Sequence, residues 1–84
     1  MDRELLKAEL KALIVRECQK EVAPESLGDD EVIMGAKSRL QLDSLDALQI
    51  SLAVQQKYGR RIEGNNETRN ALASVNALAD FILA

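Results

Sequence analysis

Apolar residues recur at helical spacing in three separate segments of this chain. The first segment runs from about Arg3 to Lys20, and its apolar residues are Leu6, Leu10, Leu13 and Ile14. Residues three and four positions apart share one face of an α-helix, so this spacing predicts an amphipathic helix. Asp2 is well placed to cap its start. Ala23-Pro24 is expected to end it, because the residue before a proline disfavours helical backbone.

The second periodic segment, from Ser44 to Tyr58, carries two apolar stripes instead of one. At about 100° per residue, one stripe contains Ala47, Ile50, Ser51, Val54 and Tyr58, and the other contains Leu45, Leu48 and Leu52. One stripe can pack on the first helix. The other must meet another element, a ligand or a partner protein, unless both belong to the core. Gly59 is placed to end this helix, as glycine commonly does.

The remaining segments complete an all-α prediction. Residues 25–42 lack periodicity and predict a long loop, with core anchors expected at Leu27, Val32, Ile33 and Leu40. A short helix is expected from about Glu67 to Leu72. A last helix, capped by Ser74, carries a third stripe at Val75, Leu78, Ala79 and Ile82. The sequence therefore predicts one domain over residues 1–84, a small four-helix bundle with a long first loop and a short third helix.

Composition supports helices and narrows the possible partners. The two aromatic residues are Tyr58 and Phe81, so the core must be aliphatic, which favours helices over a β-sandwich. A net charge of -3 argues against nucleic acid, which requires a basic stripe with stacking aromatics. The single Cys18 cannot form an internal disulfide, and no apolar run resembles a signal peptide or reaches the length of a membrane span. We therefore expect a cytoplasmic monomer.

The sequence offers little equipment for catalysis or metal binding. There is no histidine, which rules out a Ser-His-Asp or Cys-His constellation. Asp29, Asp30 and Glu31 match neither a zinc site nor a calcium loop, so they are expected to form a solvated loop. We therefore expect a protein that is not an enzyme, with no catalytic residue and no metal site.

Ser44 lies between two carboxylates where the second helix begins. Serine is a preferred N-cap, so Ser44 could simply accept a hydrogen bond from a backbone N–H of that helix. Alternatively, Asp43 caps the helix and Asp46 completes a capping box, which makes Ser44 the first helical residue with a free hydroxyl. A phosphodiester on that hydroxyl would lie at the positive end of the helix macrodipole. The residue pattern leaves both alternatives open.

The run Asp43-Ser44-Leu45-Asp46, followed by Leu48, Ile50 and Val54, resembles the modification motif of acyl carrier proteins. In that family the serine carries a 4'-phosphopantetheine arm, and the second helix of a four-helix bundle opens at that serine. The resemblance covers almost the whole chain. It includes Leu40 before the motif, Tyr58-Gly59 at the end of the helix, Ile62, and the stretch from Ser74 to Ile82.

This resemblance implies a role for each residue of the motif. Ser44 would receive phosphopantetheine from coenzyme A through a phosphopantetheinyl transferase. The thiol of the arm would then hold acyl groups as thioesters for synthase enzymes of fatty-acid, lipid or polyketide-type biosynthesis. The implied partner-binding residues are Asp43, Leu45, Asp46, Leu48, Gln49 and Leu52. The implied acyl pocket is lined by Ala47, Ile50, Val54 and Tyr58.

The chain also departs from the family pattern on its second helix. Fatty-acid carriers are strongly acidic there, whereas this chain has Gln49, Gln55, Gln56 and Lys57. We therefore expect weaker electrostatic steering and a specialised pathway instead of the main fatty-acid pathway. Two alternatives stay open: a carrier of aminoacyl or other non-fatty cargo, and a helical adaptor that is never modified.

Overall fold

Four helices joined by loops make up the computed structural model, which describes residues 2–35, 38–62 and 65–84. They are α1 (Arg3–Glu17), α2 (Ser44–Tyr58), α3 (Asn65–Ala71) and α4 (Val75–Leu83). The long loop between α1 and α2 contains a 3-10 turn, Pro24–Ser26. The described residues contain no β-strand, apart from an isolated bridge between Met34 and Leu42. The predicted small all-α fold is confirmed, including the short third helix.

Local capping explains where the helices begin and end. The Asp2 carboxylate accepts a hydrogen bond from Glu4 N at 2.9 Å, and Ser74 caps α4 as predicted. Gly59 ends α2 with a left-handed φ of 70°. The prediction that α1 extends to Lys20 is wrong, because Gln19 adopts a left-handed φ of 54°. Gln19 N and Lys20 N then donate to carbonyls of the last helical turn, at 3.3 and 3.1 Å, which is a Schellman arrangement.

The core lies where α1 packs against α2 and α4, while α3 packs against α4. Its fully buried side chains are aliphatic and include Leu6, Leu10, Ile14, Ile50, Val54, Val75 and Leu78. The long loop contributes Leu27, Ile33 and Leu40, as predicted, and also Leu42. The expectation for Val32 is wrong, since its side chain is 56% exposed. Extended backbone alternates its side chains, so burying Ile33 turns its neighbour Val32 to solvent.

Charged residues fasten the long loop to α1. Lys7 Nζ lies 2.8 Å from Asp29 Oδ2 and 2.6 Å from Glu4 Oε2, and Lys11 Nζ lies 2.8 Å from Asp29 Oδ1. The Asp29 carbonyl also accepts a hydrogen bond from Asn76 N at 2.9 Å, which links the loop to α4. The expectation of a merely solvated acidic loop is therefore wrong for Asp29. This residue connects the loop to two helices.

Asp29 gives the fold a specific pH dependence. Hydrogen bonds from Lys11 and Lys7 lower the pKa of its carboxyl from 3.8 to about 2. Because the pKa of this carboxyl is lower in the folded state than in the unfolded state, its ionisation stabilises the fold at pH values above the unfolded-state pKa. This contribution to stability is lost as the pH falls from about 4 to about 2. We expect Asp29→Asn to lower the free energy of unfolding at pH 7. The difference in free energy of unfolding between wild type and Asp29→Asn should become smaller as the pH falls from about 4 to about 2.

Chemical denaturation at a series of pH values between 7 and 2 checks this prediction. The matched control is Asp30→Asn, which changes the neighbouring carboxylate but leaves both lysine contacts of Asp29 in place. If the free energies of unfolding of wild type and Asp29→Asn differ by the same amount from pH 7 down to pH 2, the predicted pH dependence is contradicted.

Candidate functional site

The start of α2 is held by a complete capping box. Asp43 has extended backbone, and its Oδ1 accepts a hydrogen bond from Asp46 N at 3.0 Å. In return, Asp46 Oδ2 accepts a hydrogen bond from Asp43 N at 3.1 Å. The hydrogen bond from the Asp46 backbone N–H lowers the pKa of the Asp43 carboxyl. Asp43 is therefore the N-cap, and the alternative in which Ser44 caps the helix is wrong.

Ser44 is consequently the first residue of α2, and its side chain is solvent-exposed. None of the hydrogen bonds among the described residues involves its hydroxyl. The first turn of a helix also carries the positive end of the macrodipole, which favours anionic groups. An accessible hydroxyl at this position has no structural task in the helix cap. It is available for a reaction or for covalent modification.

Removal of the capping box should weaken the start of α2. We expect Asp43→Ala to lower the melting temperature, because the Asp46 N–H loses its acceptor. The Asp43→Asn variant is the matched control, since asparagine is about as good an N-cap and lacks the charge. Thermal unfolding followed by circular dichroism measures both. Equal losses in the two variants would indicate that charge, and not the cap, stabilises this end of the helix.

An open pocket of about 1070 Å³ lies beside Ser44. Its walls come from three parts of the chain: the first half of α2, the end of the long loop, and α3 together with the segment before it. Representative lining residues are Ser44, Ala47, Leu48, Leu42, Ile62 and Arg69. The volume suits a ligand of moderate size. Ser44 is thus at the edge of a space that a group attached to it can enter.

The four residues predicted for the acyl pocket do not share one environment. Ala47 lines the pocket, whereas Ile50 and Val54 are fully buried in the core. Tyr58 lies at the far end of α2, where its hydroxyl donates a hydrogen bond to Glu9 Oε1 at 2.9 Å on α1. The predicted stripe is therefore mainly the face of α2 that packs into the core. Among the described residues of that stripe, Ala47 and Ser51 line the pocket.

The second stripe of α2 faces solvent. Leu45, Leu48 and Leu52 are 63%, 53% and 47% exposed. The alternative in which both stripes are core is therefore wrong. Gln49, predicted with them as a partner residue, is exposed between them. A row of exposed leucines on one helix is costly in water, so it is typical of a surface that contacts another molecule.

Several pocket residues were not predicted from the sequence. Leu42 belongs to the long loop, Ile62 follows α2, and Thr68 and Arg69 belong to α3. They are distant along the chain and come together only through the packing of α3 and the loop around α2. The periodicity of a single segment gives no information about contacts between segments, so these pocket residues could not be predicted from it.

The described residues contain no group of three or more His, Cys, Asp or Glu side chains that could hold a metal ion. None of the helices they form is long and apolar enough to cross a membrane. In comparisons with known proteins, the chain matches no protein-family model and no curated protein. A functional inference therefore rests on the geometry around Ser44 and on the resemblance of the sequence around Ser44 to a known modification motif.

Proposed function

We propose that this chain is an acyl carrier protein, with Ser44 as the attachment point of 4'-phosphopantetheine. The observation that carries the proposal is the role of Asp43 as the N-cap, which leaves the Ser44 hydroxyl exposed and without a hydrogen bond among the described residues. In the modification, Ser44 Oγ would attack the β-phosphorus of coenzyme A, and its hydroxyl proton would pass to a basic group of the transferase. A phosphodiester forms, the pyrophosphate bond breaks, and adenosine 3',5'-bisphosphate leaves. The chemistry belongs to a phosphopantetheinyl transferase.

The residues around Ser44 suit this group. The phosphodiester would lie at the N-terminus of α2, where the macrodipole favours a negative charge. When bound, the arm supplies a terminal thiol that holds acyl groups as thioesters. The pocket beside Ser44 offers apolar side chains, among them Leu42, Ala47 and Ile62, to such a group. We infer that the four helices have the bundle arrangement of this family, with α2 opening at the modified serine.

The exposed leucines of α2 would form the contact surface for partner enzymes. Leu45, Leu48 and Leu52 present apolar side chains there, and Asp43 and Asp46 lie at the Ser44 end of the same helix. The exposed residues that accompany the leucines are uncharged at Gln49, Gln55 and Gln56. Binding would therefore depend on apolar contact more than on electrostatic steering. This supports a carrier for a specialised lipid or polyketide-type pathway.

Coexpression with a phosphopantetheinyl transferase of broad specificity tests the proposal. The intact mass should rise by one phosphopantetheine, and fragmentation should assign the increase to the peptide that contains Ser44. A chain that keeps its bare mass would contradict the carrier function and favour the unmodified adaptor. Once the arm is attached, the masses of thioesters formed in cells would distinguish fatty from aminoacyl cargo.

A further inference from the structure

The pocket beside Ser44 has a cationic side chain on one wall. Arg69 of α3 lines the pocket and is exposed to solvent. Its guanidinium forms no hydrogen bond or ion pair within the part of the chain that the structure describes. This is unlike Arg3, Arg39 and Arg60, each of which contacts a carboxylate or a carbonyl. Arg69 therefore has its donors available for a ligand.

The other charged residue among the described pocket walls, Asp43, forms no hydrogen bond or ion pair with Arg69. The Asp43 carboxylate is held by the capping box at the start of α2, where it accepts the Asp46 N–H. The hydroxyl of Ser51, a further lining residue, donates to Ala47 O at 2.8 Å within the helix. Arg69 is thus the charged group of the pocket with unused hydrogen-bonding capacity. Its planar guanidinium matches a carboxylate or phosphate in bidentate geometry.

A phosphopantetheine arm on Ser44 offers two places for an anionic group that can reach this pocket: the phosphodiester at one end and the cargo at the other. The phosphodiester is bonded directly to Ser44 Oγ, and the N-terminus of α2 already provides a favourable field for it. The cargo lies at the opposite end of the arm and enters the pocket only when the arm folds back. The apolar wall formed by Met34, Leu42 and Ile62 suits a hydrocarbon segment, while Arg69 suits an anionic end. This combination favours the cargo as the ligand of Arg69.

We propose that this carrier holds acyl groups that end in a second carboxylate, that is, half-thioesters of dicarboxylic acids, and that Arg69 binds this carboxylate. The proposal rests on the proposed function of Ser44 and names the class of its cargo. Arg69 would select a terminal anion without taking part in any reaction. Methyl-ended acyl groups of the same length would occupy the pocket without this contact.

Two synthetic coenzyme A thioesters of equal chain length, one ending in a carboxylate and one in a methyl group, provide the test. A transferase of broad specificity attaches each acyl-phosphopantetheine to the chain, and NMR then follows the Nε–H resonance of Arg69. We expect this resonance to shift with the carboxylate-ended cargo only. A ¹³C label on the cargo should show its carboxyl pKa about half a unit lower in wild type than in Arg69→Gln.

The matched control is Lys57→Gln, which removes an exposed positive charge near the other end of α2. It lies 13 residues from Ser44, about 20 Å along the helix, so this variant should behave as wild type. Equal shifts of the Arg69 resonance with both cargoes and with the bare arm would identify the phosphodiester as its ligand and overturn the proposal. An unmoved resonance, or an unchanged carboxyl pKa in Arg69→Gln, would overturn it as well.

A second experiment separates the proposal about Arg69 from the proposed modification of Ser44. If the transferase leaves the chain bare, the carrier function fails, but the pocket can still be probed. In a Ser44→Cys, Cys18→Ala variant, the introduced thiolate displaces bromide from alkyl bromides that end in a carboxylate or a methyl group. A carboxylate-dependent shift of the Arg69 resonance supports the anion site even then, and identical spectra refute it.

Discussion

The Ser44→Ala variant is expected to lose phosphopantetheine modification completely. The transfer requires the Ser44 oxygen as the nucleophile, and alanine has none. The matched control is Ser51→Ala, which removes another hydroxyl from α2 on the wall of the same pocket. Ser51→Ala should be modified to the same extent as wild type. Intact mass spectrometry after coexpression with the transferase measures both variants, and modification of the Ser44→Ala chain would place the attachment point elsewhere.

The same variant separates a modification site from a helix cap. Because Asp43 caps α2 and the Ser44 hydroxyl has no hydrogen bond among the described residues, its removal should not lower stability. Alanine also has the higher helix propensity inside a first turn. We therefore expect the melting temperature of Ser44→Ala to equal or exceed that of wild type. A decrease similar to that of Asp43→Ala would show that Ser44 contributes to the cap after all.

The second helix was predictable because its signals are local. Asp43 and Asp46 are three residues apart, as a capping box requires, and Gly59 supplies the left-handed residue that ends the helix. The two stripes follow from helical periodicity alone. Periodicity alone does not determine which of the two stripes is buried. The buried stripe is determined by where α1 and the long loop pack against α2. The structure buries Ile50 and exposes Leu48.

Features that depend on distant contacts were not predictable in the same way. Asp29 and Lys7 are 22 residues apart, and nothing in their separate surroundings pairs them. Gln19 takes the left-handed position that glycine or asparagine usually occupies, so the end of α1 carried no recognisable signal. Arg69 belongs to a seven-residue helix without an apolar stripe. Its place on the pocket wall follows only from the packing of α3.

The largest change in stability is expected on the buried face of α2. Ile50 is fully buried among aliphatic core residues, so Ile50→Ala removes buried methyl and methylene groups and leaves a cavity. Such substitutions cost about 2–5 kcal/mol. Small domains are stable by only about 5–15 kcal/mol. We therefore expect Ile50→Ala to be severely destabilised or largely unfolded at physiological temperature.

The neighbouring exposed face supplies the control for this prediction. Leu48 is two residues earlier on the same helix and 53% exposed, so Leu48→Ala should change the free energy of unfolding by about 0.5 kcal/mol or less. Urea denaturation of both variants measures the contrast. A loss in Leu48→Ala as large as that in Ile50→Ala would mean that the leucine stripe is buried in solution. Since an isolated chain leaves it exposed, a second copy would have to cover it, and the unfolding midpoint would then rise with protein concentration. A midpoint independent of concentration, together with a small effect of Leu48→Ala, is the result expected of a monomer whose leucine stripe is free for a partner.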